Sequence, residues 1–133
     1  MLATITVVGR LTRDPELRFT ASGKAVANLT LAASNSKKDG DTWVDTDTSF
    51  YDVVVWERMG ENVAESLSKG QEAIVQGQMR QRSWEDKDGN KRTSWEIVAR
   101  DIGPTLRWST QTSSDSKPAA SKAGPPQDDD PPF

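Results

Sequence analysis

The chain predicts an all-β domain: a small five-stranded barrel with one short helix between strands 3 and 4, followed by a disordered C-terminal tail. Three observations carry this. Short β-branched or alternating runs recur between Gly, Pro and Asp turn signals. Only Met59 to Leu67 has helical spacing, with Met59, Val63 and Leu67 at i, i+4 and i+8, and Gly70 stands where a C-terminal cap is expected. Between Trp108 and the terminal Phe133 there is no large apolar residue, so that segment cannot bury enough surface to offset its ordering entropy. The expected organisation is a folded unit over 1–108 and a tail over 109–133.

Taken in order, Leu2 to Gly9 is rich in β-branched residues and reads as the first strand. Asp14-Pro15 marks a turn, Leu17-Arg18-Phe19 is a short extended piece, and Ser22-Gly23 turns the chain again. From Lys24 to Ala33 the alternation is strict, with Ala25, Ala27, Leu29, Leu31 and Ala33 on one face. The alanines on that face predict close approach of another element, as in a tightly curled sheet. Ser34 to Asp47 is polar and Gly-containing and reads as a long connecting loop holding Trp43. That ring is either a peg fixing the loop or a stacking surface.

Phe50 to Trp56 is the strongest strand signal. Its Tyr51, Val53 and Val55 share one face, and Asp52 marks the other as the wetter one, which leaves Phe50 and Trp56 as two rings on an exposed sheet surface. After the helix, Ala73, Val75, Gly77 and Met79 alternate with Gln76, Gln78, Arg80, Arg82 and Trp84. Asp88-Gly89 then turns the chain into a fifth strand, Thr93 to Ile102, giving a long hairpin. Trp95 shares parity with Ile97 and Ala99, so a packing role is expected for it. The outward row of the hairpin puts two guanidiniums and an indole on one side, a combination suited to phosphate pairing and base stacking. Trp84 could equally cover a neighbouring strand or a subunit contact.

Composition removes several chemistries. The chain has no Cys and no His, so disulfides, thiolate or imidazole metal ligation and the common nucleophile–base pairs are out; a carboxylate-only metal site stays open, but no spacing points to one. No apolar run approaches the roughly 18 residues of a membrane span, and no signal segment opens the chain, so a soluble intracellular protein is expected. The net charge of −3 by itself argues against nucleic acid. Its distribution matters more. From Gln111 onward two Lys stand against four Asp, which assigns −2 to the tail and −1 to the body. Nucleic-acid binding then requires local clustering, which Arg80, Arg82, Lys87, Lys91 and Arg92 supply around one hairpin. The tail ends Asp128-Asp129-Asp130-Pro131-Pro132-Phe133, an acidic cluster with a stiffened aromatic tip, suited either to docking on a partner protein or simply to solubility.

Five strands with a helix after the third is the order of an OB-fold, which binds oligonucleotides or oligosaccharides. The sequence also resembles the bacterial single-stranded DNA-binding protein family, most closely its actinobacterial branch. The residues that carry the resemblance are Val8-Gly9-Arg10-Leu11, Asp14-Pro15-Glu16-Leu17-Arg18, Gly23 to Asn28, Glu61 to Leu67, Gly77 to Trp84 and the Asp-rich Pro-Pro-Phe ending. The resemblance implies a cytoplasmic, nucleoid-associated homotetramer that binds single-stranded DNA without sequence preference, with no catalytic residue, metal site or cofactor, and serves DNA replication, recombination and repair. It implies base stacking on Phe50, Trp56 and Trp84, the three rings that strand parity already exposes. The family's additional Trp after the second strand falls nearest Lys37 here, and Trp43 is the nearest ring to that place. Phosphate contacts are expected from Arg10, Arg18, Arg80, Arg82, Lys87, Lys91 and Arg92. The tip from Asp128 to Phe133 is expected to dock partner proteins, with Pro131 where the family usually has Ile.

Overall fold

The structure is a computed structural model, and it describes residues 1–111. The acidic tip Asp128 to Phe133 and nearly all of the tail lie outside them. In order, the elements are β1 (Thr4–Leu11), β2 (Glu16–Phe19), β3 (Ala25–Asp39), β4 (Thr42–Trp56), α1 (Glu57–Ser66), β5 (Glu72–Glu85) and β6 (Lys91–Pro104). Sheet order is β1-β5-β6-β4-β3-β2, and an additional β1–β3 pairing closes five of these strands into a ring, with β2 attached outside it to β3. The closing contact is short, Arg10 opposite Ala32 and Leu11 opposite Leu31. It explains why β1 runs two residues beyond Gly9: Leu11 is the residue that seals the ring, and it is buried.

The interior follows the alternation. Val7, Leu11, Ala27, Leu29, Leu31, Val53, Val55, Ala73, Val75 and Ile97 form one buried cluster, closed at one end by Val63 and Leu67. Burying each of the larger aliphatic side chains contributes about 1.5–3 kcal/mol. Alanines 27 and 73 are fully buried, consistent with tight curling. At Gly77 an added Cβ would lie 2.1 Å from the Val98 main-chain oxygen. Gly77 sits where the β5–β6 register shifts, between Gln76 opposite Asp101 and Gly77 opposite Ala99. The bulge lets the hairpin bend away from the barrel, and only a residue without a side chain fits its inner edge.

Three expectations need correction. Ser34 to Asp47 is not a loop: β3 and β4 continue past the barrel as an antiparallel hairpin to a turn with Gly40 at φ +67°. Both faces of this arm are largely exposed, so nothing in it had to alternate between apolar and polar. The helix ends at Ser66, before Gly70, because Leu67 turns extended and is buried in the core. Gly70 instead shapes the turn into β5, where its N–H donates to the Leu11 carbonyl at 2.8 Å. Trp95 does not pack: it is 56% exposed, opposite Gln81, on a part of the hairpin that has left the barrel behind.

Candidate nucleic-acid interface

Residues opposite one another in a ladder share a face. Arg80 pairs with Glu96, Arg82 with Ser94 and Trp84 with Arg92 across β5–β6. Asp52 and Val54 pair with Glu96 and Val98 across the parallel β4–β6 contact. Phe50 pairs with Ala32, Asp52 with Thr30, Val54 with Asn28 and Trp56 with Val26 across β3–β4, and Glu16 and Arg18 join from β2. One continuous outward face therefore crosses five strands. It carries Phe50, 66% exposed, Trp84, 42% exposed, and the half-buried Trp56.

A groove of about 190 Å³ runs along this face, lined by Arg13, Arg18 and Arg82 together with Glu16, Asp52 and Glu96. The cations differ in how free they are. Arg80 donates from Nε (3.1 Å) and from Nη2 to Oε2 of the buried Glu96, so its charge is largely matched. Arg18 makes only a loose, exposed contact with Glu16 at 3.4 Å. The Arg82 guanidinium lies 5.1 Å from the centroid of the Trp84 ring, holding that ring from one side. At the hairpin turn, Asp86 accepts from the N–H groups of Asp88 (3.0 Å) and Asn90 (2.9 Å) and from Arg92 Nε (2.9 Å). The Arg92 bond, followed by those backbone donors, holds the Asp86 carboxyl below its usual range. Lys87 and Lys91 stand exposed beside this turn.

Of the expected residues, only Arg18 and Arg82 line the groove itself. Arg10 is on β1, outside the groove lining, where it donates to the Gly70 carbonyl at 2.9 Å. Trp43, 68% exposed, stands near the end of the β3–β4 arm opposite Lys38. Its orientation depends on a bulge: Ala33 pairs with Ser49 but Asn35 with Thr46, so β4 carries one extra residue there, with Asp47 in the left-handed region at φ +51°. That extra residue reverses the parity of β4 and puts Trp43 on the same side as Phe50. Sequence reasoning missed Arg13, which lies in the turn after β1 with no periodicity to place it. Among the described residues, no group of three or more acidic side chains is placed to hold a metal ion. No helix among the described residues is long and apolar enough to cross a membrane.

Comparison with known proteins agrees with this geometry. The model of the single-strand binding protein family matches residues 2–105. A single-stranded DNA-binding protein of Paenarthrobacter aurescens is 51% identical over 79% of this chain and 63% of that protein, so the chain spans under two thirds of that relative. The one from Mycobacterium tuberculosis H37Rv is 44% identical over 96% of this chain and 85% of that protein. The crystal structure of a small single-stranded DNA-binding protein from Streptomyces coelicolor superposes with a TM-score of 0.67 at 30% identity, covering 80% of this chain and 96% of that one. The strand ring, the single helix after β4 and these matches establish an OB-fold, and the chain belongs to the single-strand binding protein family, whose members bind without catalysing a reaction.

Proposed function

We propose that this protein binds single-stranded DNA without sequence preference and protects it during replication, recombination and repair. One observation carries the reading: Phe50, Trp56 and Trp84 are accessible rings on a single outward face that also bears Arg18 and Arg82. Every base has a π-face, worth about 1–3 kcal/mol when stacked on an aromatic ring, and every phosphate has a charge. A surface that uses only these two features is blind to sequence. Phe50, Trp56, Trp84 and Trp43 supply the stacking, and Arg10, Arg18, Arg80, Arg82, Lys87, Lys91 and Arg92 the phosphate contacts. The names of the relatives support DNA as the ligand.

The near-neutral body fits a surface multiplied over a homotetramer, in which many modest contacts add. The exposed apolar pair Val8 and Ile74, opposite each other on the outside of β1 and β5, supports contact between copies. The acidic tip Asp128 to Phe133 is the docking site for replication, recombination and repair proteins, and the protein works in the cytoplasm on the nucleoid. The test is a titration of intrinsic tryptophan fluorescence with oligo-dT at two salt concentrations. Strong quenching and an affinity that falls steeply with salt are expected. Weak quenching or a flat salt response overturns the reading. Deleting residues 127–133 should leave oligo-dT affinity at least as high and abolish capture of partner proteins.

A further inference from the structure

Beyond β6 lies an aromatic that the reading above leaves unused. We propose that Trp108, with Arg10 and Arg107, forms a second stacking station for the same single strand, across β3 from the main groove; the inference rests on the single-strand binding proposed above. Trp108 is 66% exposed although it is one of the largest apolar side chains present. The Arg10 guanidinium lies 5.8 Å from its ring centroid, the arrangement that also supports Trp84.

The ring belongs to a segment that is tied down. Thr105 N–H donates to the Glu72 carbonyl at 3.0 Å and its hydroxyl to Glu72 Oε1 at 2.6 Å, while Arg107 Nη1 lies 3.7 Å from Glu72 Oε2. These contacts hold Trp108 over β1 and β5. Beside it runs a groove of about 310 Å³, whose walls include Arg10, Ala32, Ser36, Asp45, Arg107 and Trp108. In charge it resembles the main groove, each setting its guanidiniums against an equal number of carboxylates.

The two grooves are neighbours. Arg10 is opposite Ala32, and Ala32 is opposite Phe50. Two strand spacings, roughly 10 Å, therefore separate Arg10 from Phe50 on the same outward face. A strand stacked on Phe50 can continue over Ala32 onto Trp108 without leaving the surface. The family model stops at residue 105, so Trp108 lies just past the part of the chain that it matches.

The test uses the full chain with Trp108→Ala, Trp108→Phe and, as a control, Trp84→Ala. Each is titrated with oligo-dT of about 4 and about 16 nucleotides, the range one OB-fold covers. Trp108→Ala should lose about tenfold in affinity for the longer strand and nothing for the shorter, and Trp108→Phe should recover most of the loss. Unfolding temperature and oligomeric mass should stay unchanged. If Trp108→Ala binds the longer strand like the unaltered protein while Trp84→Ala does not, the second station is wrong and the main groove stands. Equal loss on both lengths, or a fall in unfolding temperature or mass, makes the ring structural and also overturns the proposal. If neither variant weakens binding, the single-strand reading itself fails.

Discussion

In the β5–β6 arm, charged and aromatic side chains fix the outward face: Arg80 on Glu96, Arg82 against Trp84, and Asp86 gathering three donors at the turn. The β3–β4 arm is of similar length, yet its side-chain links are neutral, namely the Ser34 and Thr48 hydroxyls at 2.7 Å, the Thr46 hydroxyl on the Asn35 carbonyl at 3.4 Å, and the Thr42 hydroxyl on the Asp39 carbonyl at 3.0 Å. Among the described residues no ion pair joins β3 to β4. The difference separates a ring held in place before the ligand arrives from one that must be ordered when it does. Immobilising a side chain on binding costs about 0.5–1.5 kcal/mol, so two exposed indoles need not contribute equally.

The largest effect should come from the rings themselves. Trp84→Ala is expected to weaken oligo-dT binding by about 2–3 kcal/mol with the fold intact, and Trp43→Ala by about 1 kcal/mol or less. Fluorescence titrations of both variants, with circular dichroism to check folding, decide it. A Trp43 variant that loses as much as the Trp84 variant would mean that preorganisation of the arm is irrelevant.

The same contrast governs what the sequence could tell. Alternation records burial on one face, and it was clear in Lys24 to Ala33 and in Ala73 to Met79 because those strands line the barrel. Ser34 to Lys38 has no buried side, so its extended conformation left no periodic trace, even though Asp39-Gly40 is the same turn dipeptide as Asp88-Gly89. Parity placed Phe50, Trp56 and Trp84 correctly on the outward face. It misjudged Trp95, since parity gives the side of a strand and not where along it the barrel ends. The bulge at Asp47, which turns Trp43 towards the face of Phe50, comes from backbone geometry that no residue type there announces. The partners of the cations were equally hidden, because Arg80 and Glu96 meet only through the register of a hairpin with a bulge in it.

That register supplies the next test. Glu96 is buried and accepts from Arg80, so its charge offsets one of the two outward guanidiniums that β5 offers to phosphate. Glu96→Gln keeps the shape and an acceptor but removes the charge. Oligo-dT affinity at low salt should rise several-fold, and the salt dependence should steepen by about one further released ion. Unchanged affinity and slope would mean that Arg80 serves only to satisfy Glu96 and takes no part in phosphate contact.

The smallest effect separates the arms by acid. With its folded pKa lowered chiefly by the Arg92 bond, Asp86 lends the β5–β6 turn support that is complete above the ordinary aspartate value of about 3.9 and lost as pH falls through the lower folded value. Protonation removes the charge that Arg92 pairs with and weakens the acceptor for the Asp88 and Asn90 N–H groups. The opposite arm closes its turn with Thr42 donating to a main-chain oxygen, a bond with no proton to gain. Amide hydrogen exchange, corrected for the intrinsic pH dependence of each amide, should therefore show protection at Asp88 and Asn90 falling below about pH 4 while the β3–β4 amides keep theirs. Equal loss in both arms would place the acid sensitivity in the barrel as a whole and remove Asp86 as its cause, whereas if Asp86 is the cause, Asp86→Asn should make the β5–β6 turn insensitive to pH in this range.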